Sequence, residues 1–125
     1  MRRRKQSENT ESILNTIIET IKETKGKEIV SMDMQSTISA ITDHFVICHG
    51  TSKTQVDAIA HKIIENVKKE HHQNPYNKEG FENSEWILID YVDIVVHIFL
   101  APIRSFYQLE ELWADAETTK HEYDV

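Results

Sequence analysis

The sequence contains few of the residues that cross-link or interrupt a small protein. Its 125 residues include one cysteine, two prolines and three glycines. A single cysteine excludes an intramolecular disulfide and favours a reducing compartment. The longest apolar run, 94–102, contains a histidine and is far too short to span a bilayer, and no apolar segment typical of a signal peptide follows the N-terminus. These absences predict a soluble, cytoplasmic protein that makes no membrane contact.

Positive charge is also scarce. The chain has 14 Lys and Arg against 21 Asp and Glu, which gives a formal net charge of −7 at pH 7. A protein that binds mainly to phosphate normally carries a basic face, and here the only basic cluster is 2–5. The charge balance therefore favours a basic protein as the main partner. It leaves two interpretations of the cluster, a solvated tail or an arm that touches RNA.

The apolar residues that are present suffice for one domain. Hydrophobic residues make up 39% of the chain and charged residues 28%, as is typical of a globular domain of this length. Apolar periodicity begins at Ile13 and ends at Trp113. We therefore predict a disordered start over residues 1–8, a folded domain over 9–116 and a flexible tail over 117–125.

Hydrophobic periodicity predicts three helices and about five strands. One helix begins at Asn9 and is closed by Gly26, a second follows Ser52, and a third begins at Pro102. The strands are 28–34, 45–48, a weak one at 76–80, 86–91 and 93–100. The last two are joined so tightly that an antiparallel hairpin is the economical arrangement. The predicted fold class is α/β, a single-domain mixed sheet flanked by helices.

The turn Gly50-Thr51-Ser52, between a predicted strand and a predicted helix, is the most tempting catalytic feature. Backbone N–H groups at a helix start can bind phosphate, so a nucleotide-binding or nucleotidyltransferase-like enzyme is the alternative function. The turn lacks the glycine spacing of a P-loop or a dinucleotide fingerprint, and Thr51 or Ser52 is a natural N-cap. Capping is the simpler interpretation, and we predict no catalytic residue.

Metal and thiol chemistry are not indicated. The seven histidines do not occur at zinc-ligand spacing with cysteine or carboxylate neighbours. Cys48 lies in an apolar strand without a clear catalytic partner, which is typical of an inert, buried thiol. We predict no metal and no cofactor.

The predicted hairpin carries the clearest polar pattern. Alternation places Trp86, Leu88 and Asp90 on one face of their strand and Tyr91 on the other, and His97 interrupts the apolar run of the next strand. His97 is either one half of a hydrogen-bonded pair in the core or part of a face that meets a partner. Aromatic anchors with charged neighbours are typical of interface hot spots.

Several motifs occur in a fixed order along the chain. They are Ser39-Ala-Ile-Thr-Asp-His-Phe-Val-Ile-Cys48, Gly50-Thr51-Ser52, Glu79-Gly80, Trp86-Ile-Leu-Ile-Asp-Tyr91, Asp93-Ile-Val-Val-His97, Phe106-Tyr-Gln-Leu-Glu110 and Leu112-Trp113. Together they resemble the ribosomal silencing factor family, also called Iojap-like, over roughly Ile13 to Ala116.

The resemblance implies a mixed sheet distantly similar to nucleotidyltransferases but without their catalytic carboxylates. It implies a non-enzymatic factor that binds the large ribosomal subunit through its ribosomal protein uL14. Such a factor sterically blocks joining of the small subunit and represses translation. The partner-binding residue carried over from the family is Trp86, and its neighbours Leu88, Asp90, Tyr91 and His97 are added to it. The basic cluster then becomes a candidate for a peripheral contact with ribosomal RNA, and the aromatic patch leaves a homodimer open.

Three positions depart from the family pattern: His44 replaces the usual tyrosine before Phe45, Ala40 replaces the second serine, and Val92 changes the hairpin turn. Val92 stands in the hairpin turn where the family usually has glycine. A β-branched residue resists positive φ, so the turn either uses another backbone shape or carries strain.

In the last predicted helix, we expect Phe106, Leu109 and Leu112 mainly to close the core.

Overall fold

The computed structural model describes the backbone of residues 3–35, 42–108, 111, 114 and 116–122, and within these the side chains from Asn9 onward. The elements are α1 (Arg3–Glu23), β1 (Lys27–Asp33), β2 (His44–Gly50), α2 (Lys53–His71), β3 (Asn77–Glu79), β4 (Trp86–Asp90), β5 (Ile94–Leu100), α3 (Ala101–Tyr107) and β6 (Glu117–His121). Leu109, Leu112 and Trp113, which we expected in the last helix, lie outside the described residues.

The strands form one six-stranded sheet in the order β3-β4-β5-β2-β1-β6. The central pair, β2 and β5, is parallel, and the other neighbours are antiparallel. The tight join between β4 and β5 is the predicted hairpin. The mixed sheet and its helices confirm the predicted α/β class.

Helices α1 and α2 cover one face of this sheet. Their apolar stripes pack on the inward side chains of the strands in one buried cluster. The helix residues of this cluster with no more than 5% exposure are Ile13, Ile17, Ile18, Ile21, Val56, Ile59, Ala60, Ile63 and Val67. These are residues that the 3.6-residue period selects, and burying each large one contributes about 1.5–3 kcal/mol. The main core therefore follows from the pattern of the sequence.

Helix α1 differs from the prediction at its start and is closed by Gly26 as predicted. It begins at Arg3 rather than Asn9, because residues 3–8 are rich in helix formers although they carry no apolar stripe. It ends at Glu23, where Lys25 takes a left-handed φ of 64° and the Gly26 amide donates to the Ile21 carbonyl at 2.9 Å. Gly26 is needed for close packing, since a Cβ there would collide with the Ile21 side chain.

Strand β6 corrects the prediction of a flexible tail from residue 117. It pairs antiparallel with β1, with Ile29 opposite His121 and Asp33 opposite Glu117. Ser31 Oγ and His121 Nε2 are hydrogen-bonded at 2.7 Å. Four of its five residues are exposed, so the strand has no apolar alternation that the sequence could reveal. The sheet therefore has six strands rather than about five.

The face of the sheet opposite α1 and α2 has a smaller buried cluster. It consists of Val30, Met32, Met34, Phe45, Ile47, Val95, Phe99 and Ala116, with Trp86, Leu88 and Ile103 packed partly against it. Trp86 and Leu88 come from β4 and Ile103 from α3. This second face therefore brings the predicted partner-binding strand next to the last helix.

Candidate functional site

The turn Gly50-Thr51-Ser52 is accounted for by helix capping. Ser52 is the N-cap of α2, and its Oγ accepts from the Gln55 amide at 3.1 Å. The Gln55 side chain accepts in return from the Thr51 amide at 2.8 Å, close to a capping box. These two backbone donors are thus used within the chain, and the geometry favours the cap over a phosphate site.

The thiol and the histidines do not form a reactive group in the part of the chain that is described. Cys48 is fully buried in β2, and burial raises the pKa of its thiol to about 12 against the opposing effect of the Arg104 charge. Such a thiol stays protonated and unreactive. Within the described residues, no three His, Cys, Asp or Glu side chains come together in a way that could hold a metal ion.

Trp86 is the centre of the candidate site. Its half-buried indole lies against the ring of Phe99 on one side, with centroids 4.9 Å apart, and against Tyr107 of α3, with centroids 4.8 Å apart. The indole Nε1 donates to Nδ1 of His97 at 3.1 Å. The register of β4 on β5, with Trp86 opposite Phe99, produces this arrangement. The large aromatic side chain is thereby held in one orientation.

His97 lies beneath Trp86 rather than on the surface. It is 5% exposed, and Phe45 packs edge to face with its ring at 4.8 Å. Because Nδ1 accepts from Trp86, the neutral ring carries its proton on Nε2, which is buried without a hydrogen-bond partner among the described residues. Burial lowers the pKa of His97 to about 4. The imidazole is therefore neutral near pH 7, as the bond from Trp86 requires.

Leu88 and Asp90 share the face of Trp86 because they alternate with the buried Ile87 and Ile89. Both are half-buried. The exposed edge strand β3 places Glu79 directly opposite Leu88. We call Trp86, Leu88, Asp90 and Glu79 the hairpin surface. It consists of the apolar side chains of Trp86 and Leu88, with Asp90 further along β4 and Glu79 beside Leu88 on β3.

The turn between β4 and β5 has a positive φ even though the residue there is a valine and not a glycine. Val92 has a φ of 76°, and the Asp93 amide donates to the Tyr91 carbonyl at 2.9 Å, which is the hydrogen bond of a γ-turn. The Val92 amide donates to Oδ1 of Asp90 at 2.7 Å, and its carbonyl accepts from Thr42 Oγ1 at 2.7 Å. These bonds hold a β-branched residue in a strained region.

Tyr91 lies on the other side of the sheet. It is 4% exposed and belongs to the cluster covered by α1 and α2. Burial raises the pKa of its phenol well above the usual range. Because the ring is inaccessible and its strand position faces away from Trp86, the geometry leaves Tyr91 out of the hairpin surface. His97 is likewise excluded as a direct contact.

Helix α3 exposes two aromatic residues that the sequence did not single out for binding. Phe106 is 78% and Tyr107 51% exposed, which corrects the expectation that Phe106 closes the core. Arg104 is the buried residue instead, at 8% exposure. A helix of seven residues is too short for periodicity to show which side faces inward. The sequence around Phe106 and Tyr107 therefore did not show which residues of this helix are buried.

The fold and this site define a small α/β protein with a mixed six-stranded sheet and an aromatic surface beside its hairpin. A family model described as ribosomal silencing factor during starvation matches residues 7–125. A ribosomal silencing factor of Halalkalibacterium halodurans is 39% identical over 91% of this chain and 96% of its own length. That of Bacillus subtilis is 40% identical over 86% and 90%. The chain belongs to the ribosomal silencing factor family.

A solved structure supports the assignment. The crystal structure of a Chromobacterium violaceum protein superimposes with a TM-score of 0.78 at 30% identity, covering 92% of each chain. The family model and the relatives confirm the predicted family resemblance. None of the helices in the described part of the chain is long and apolar enough to cross a membrane.

Proposed function

We propose that this chain binds the large ribosomal subunit through uL14, using the hairpin surface, and so prevents the small subunit from joining. The observation that carries the proposal is the half-buried indole of Trp86, fixed by His97 and Phe99 at the edge of an accessible face. Large aromatic side chains held in one orientation lose little entropy on binding and are typical anchors of interfaces. The names of the relatives, ribosomal silencing factors, supply the ribosome as the target.

The proposed mechanism is steric. A folded domain bound to the joining face of the large subunit occupies volume that the small subunit must enter. Association then fails and translation is repressed without any bond being made or broken. The action needs no catalytic residue and no cofactor, and it takes place in the cytoplasm where the subunits meet.

Charge complements the aromatic anchor. The chain carries a formal net charge of −7, and Asp90 and Glu79 lie beside Leu88 on the hairpin surface. A basic ribosomal protein would be attracted to this face, because complementary potentials raise the rate of encounter. The apolar side chains of this surface would then set the lifetime of the complex.

The basic cluster at the N-terminus supports a peripheral contact with ribosomal RNA. Helix α1 begins at Arg3, so Arg3, Arg4 and Lys5 occupy its first turn, which has no acidic residue. Cations at a helix N-terminus oppose the helix dipole. Helix stability therefore does not explain the cluster, whereas attraction to phosphate does.

Co-sedimentation with purified large subunits tests the proposal. Trp86→Glu should weaken binding at least about 30-fold, since losing a hot spot costs 2 kcal/mol or more. Thr119→Glu is the matched control, because it adds the same charge at an exposed position of β6 on the far edge of the sheet. A folded Trp86→Glu protein that still co-sediments like the wild type would show that the surface is assigned wrongly.

The consequence for translation is measured separately. Adding the protein to large subunits before small subunits should reduce the fraction of joined ribosomes in a sucrose gradient, and Trp86→Glu should not. Binding without any effect on joining would refute the steric mechanism. Sedimentation of the free protein at several concentrations shows whether the same surface supports a homodimer.

A further inference from the structure

Helix α3 has its polarity inverted relative to an ordinary surface helix. It buries the charged side chain of Arg104 and exposes the aromatic rings of Phe106 and Tyr107. Burying a phenylalanine contributes about 1.5–3 kcal/mol, and this helix forgoes most of that contribution at Phe106. Adjacent exposed aromatic side chains mark a surface that binds something.

Arg104 explains how the helix holds this orientation. Its Nη1 donates to the Glu28 carbonyl at 2.8 Å and lies 3.0 Å from Nδ1 of His49. These contacts tie α3 to the start of β1 and the end of β2, while Ile103 packs against the second cluster. The contacts of Arg104 and Ile103 thus hold the helix with Phe106 and Tyr107 on its exposed side.

The exposed rings continue the hairpin surface. Tyr107 lies 4.8 Å from the ring of Trp86, and Phe106 lies 5.1 Å from Tyr107 with the two ring planes nearly perpendicular. The three rings form an unbroken row that runs from β4 onto α3. We call Phe106 and Tyr107 the α3 aromatic pair.

We propose that the α3 aromatic pair is the second half of the docking surface and receives cationic side chains of the same basic protein partner. This inference rests on the proposed function, since it extends the surface centred on Trp86. Aromatic faces attract Lys and Arg side chains and cover their aliphatic stems. The acidic balance of the chain and the carboxylates beside Leu88 favour a cationic protein surface over the phosphates of an RNA.

Two substitutions test the pair on purified large ribosomal subunits. Phe106→Ser is expected to lower affinity several-fold, and the double variant Phe106→Ser with Tyr107→Ser about tenfold or more. Phe106 is 78% and Tyr107 51% exposed, so the circular dichroism spectrum should match that of the wild type, and the thermal midpoint should fall only slightly, through the lost contact of Tyr107 with Trp86. Phe106→Leu keeps apolar area but removes the ring, and it should recover only part of the loss.

Tyr76→Ser is the matched control. Tyr76 is 79% exposed, like Phe106, but it precedes β3 and lies outside the row of rings. Its replacement should change affinity less than about twofold, as expected for a residue outside the energetic centre of an interface. An equal loss in Tyr76→Ser would overturn the proposal, because the effect would then follow from removing any exposed aromatic residue.

The outcomes separate this inference from the proposed function. If Trp86→Glu abolishes binding and the double variant binds like the wild type, the α3 aromatic pair is not part of the surface, and the proposed function stands. If Trp86→Glu itself has no effect, the proposed function fails. If the double variant loses self-association but keeps its affinity for large subunits, the pair binds a second copy of this chain, and the inference is overturned.

Discussion

At the scale of single residues, the hydrogen bond between Trp86 and His97 links the accessible face to the interior. The bond fixes the tautomer of the imidazole and the orientation of the indole at once. Protonation of Nδ1 would remove the acceptor, and the indole Nε1 would lose its hydrogen bond to His97. His97 therefore acts through Trp86 and is a positioning residue in the proposed interface.

This arrangement predicts a loss of stability in acid. Burial lowers the pKa of His97 from 6.5 to about 4 in the folded protein, so between these values the unfolded chain takes up a proton that the folded chain does not. The free energy of unfolding should fall by up to about 1.4 kcal/mol per pH unit in this window, roughly 3 kcal/mol in total, with no contribution above it. Urea unfolding from pH 7.5 to 4.5 measures the slope.

His97→Leu is the informative variant for this slope. The substitution removes the titrating group. The free energy of unfolding of this variant should therefore fall less steeply with decreasing pH than that of the wild type, even if its value at pH 7.5 is lower. His61→Gln, at an exposed position of α2, is the control. An unchanged slope in His97→Leu would refute the assignment of the acid sensitivity to this residue.

The strained turn predicts a substitution that makes the protein more stable. Val92 holds a φ of 76° with its side chain 57% exposed. Val92→Gly should raise the free energy of unfolding by about 1 kcal/mol, because relief of strain exceeds the added entropy of the unfolded chain. Val92→Ala keeps the Cβ and should gain less. Chemical denaturation of the wild type and the two variants measures these free energies. A glycine variant less stable than the wild type would show that the turn is not strained.

At the scale of elements, the sequence predicted those parts whose apolar side chains repeat. The stripes of α1 and α2 and the alternation of Ile87 and Ile89 in β4 determine which side is buried, and the structure has them buried. The same alternation put Tyr91 on the covered side, away from Trp86. The Trp86 face of the hairpin could therefore be predicted, but its accessibility depended on packing against α3.

The sequence could not predict elements that are held by polar contacts. Strand β6 is stabilised by its ladder with β1 and by the bond from Ser31 to His121, and neither leaves an apolar pattern. The orientation of α3 depends on carbonyl groups of β1 that accept from Arg104. A contact between residues more than 70 positions apart cannot be recognised from local spacing, and so the exposure of Phe106 was missed.

Removing β6 should weaken the sheet and uncover an edge. A chain ending at Ala116 loses the β1–β6 ladder, and we expect roughly 1–3 kcal/mol less stability, given about 1 kcal/mol net for each hydrogen bond and the entropy of ordering the strand. The bare edge of β1 should also promote association between copies. A chain ending at Glu122 keeps the strand and is the control. Thermal unfolding and size-exclusion chromatography measure both effects, and two equally stable, monomeric chains would show that β6 contributes little.

At the scale of the whole molecule, charge and shape contribute to different parts of the proposed binding. The excess of carboxylates acts over several ångströms and governs encounter, while the aromatic row acts on contact and governs dissociation. A folded domain of 125 residues is large enough to obstruct a joining surface once it is bound. Repression would then depend on residence time rather than on turnover.

This division predicts how binding responds to salt. Raising ionic strength should slow association with large subunits, because charges separated by more than about 8–10 Å are screened. Glu79→Gln with Asp90→Asn should lower the association rate about threefold at low salt and flatten this dependence, with little change in dissociation. The amide at position 90 keeps an oxygen that can accept from Val92, so the turn is preserved. Surface plasmon resonance gives both rates, and a salt-independent association rate would contradict the role of charge.

The inert thiol of Cys48 has a practical consequence. Because the chain's single cysteine is fully buried and its pKa is raised to about 12, maleimide reagents should not react with it while the protein is folded. A cysteine introduced by Thr119→Cys on β6 would then be the thiol that the reagent labels. In the strand order β6 is four places from β4, about 19 Å at the usual spacing of strands. A fluorophore attached there could follow arrival on and departure from single ribosomal particles without covering Trp86.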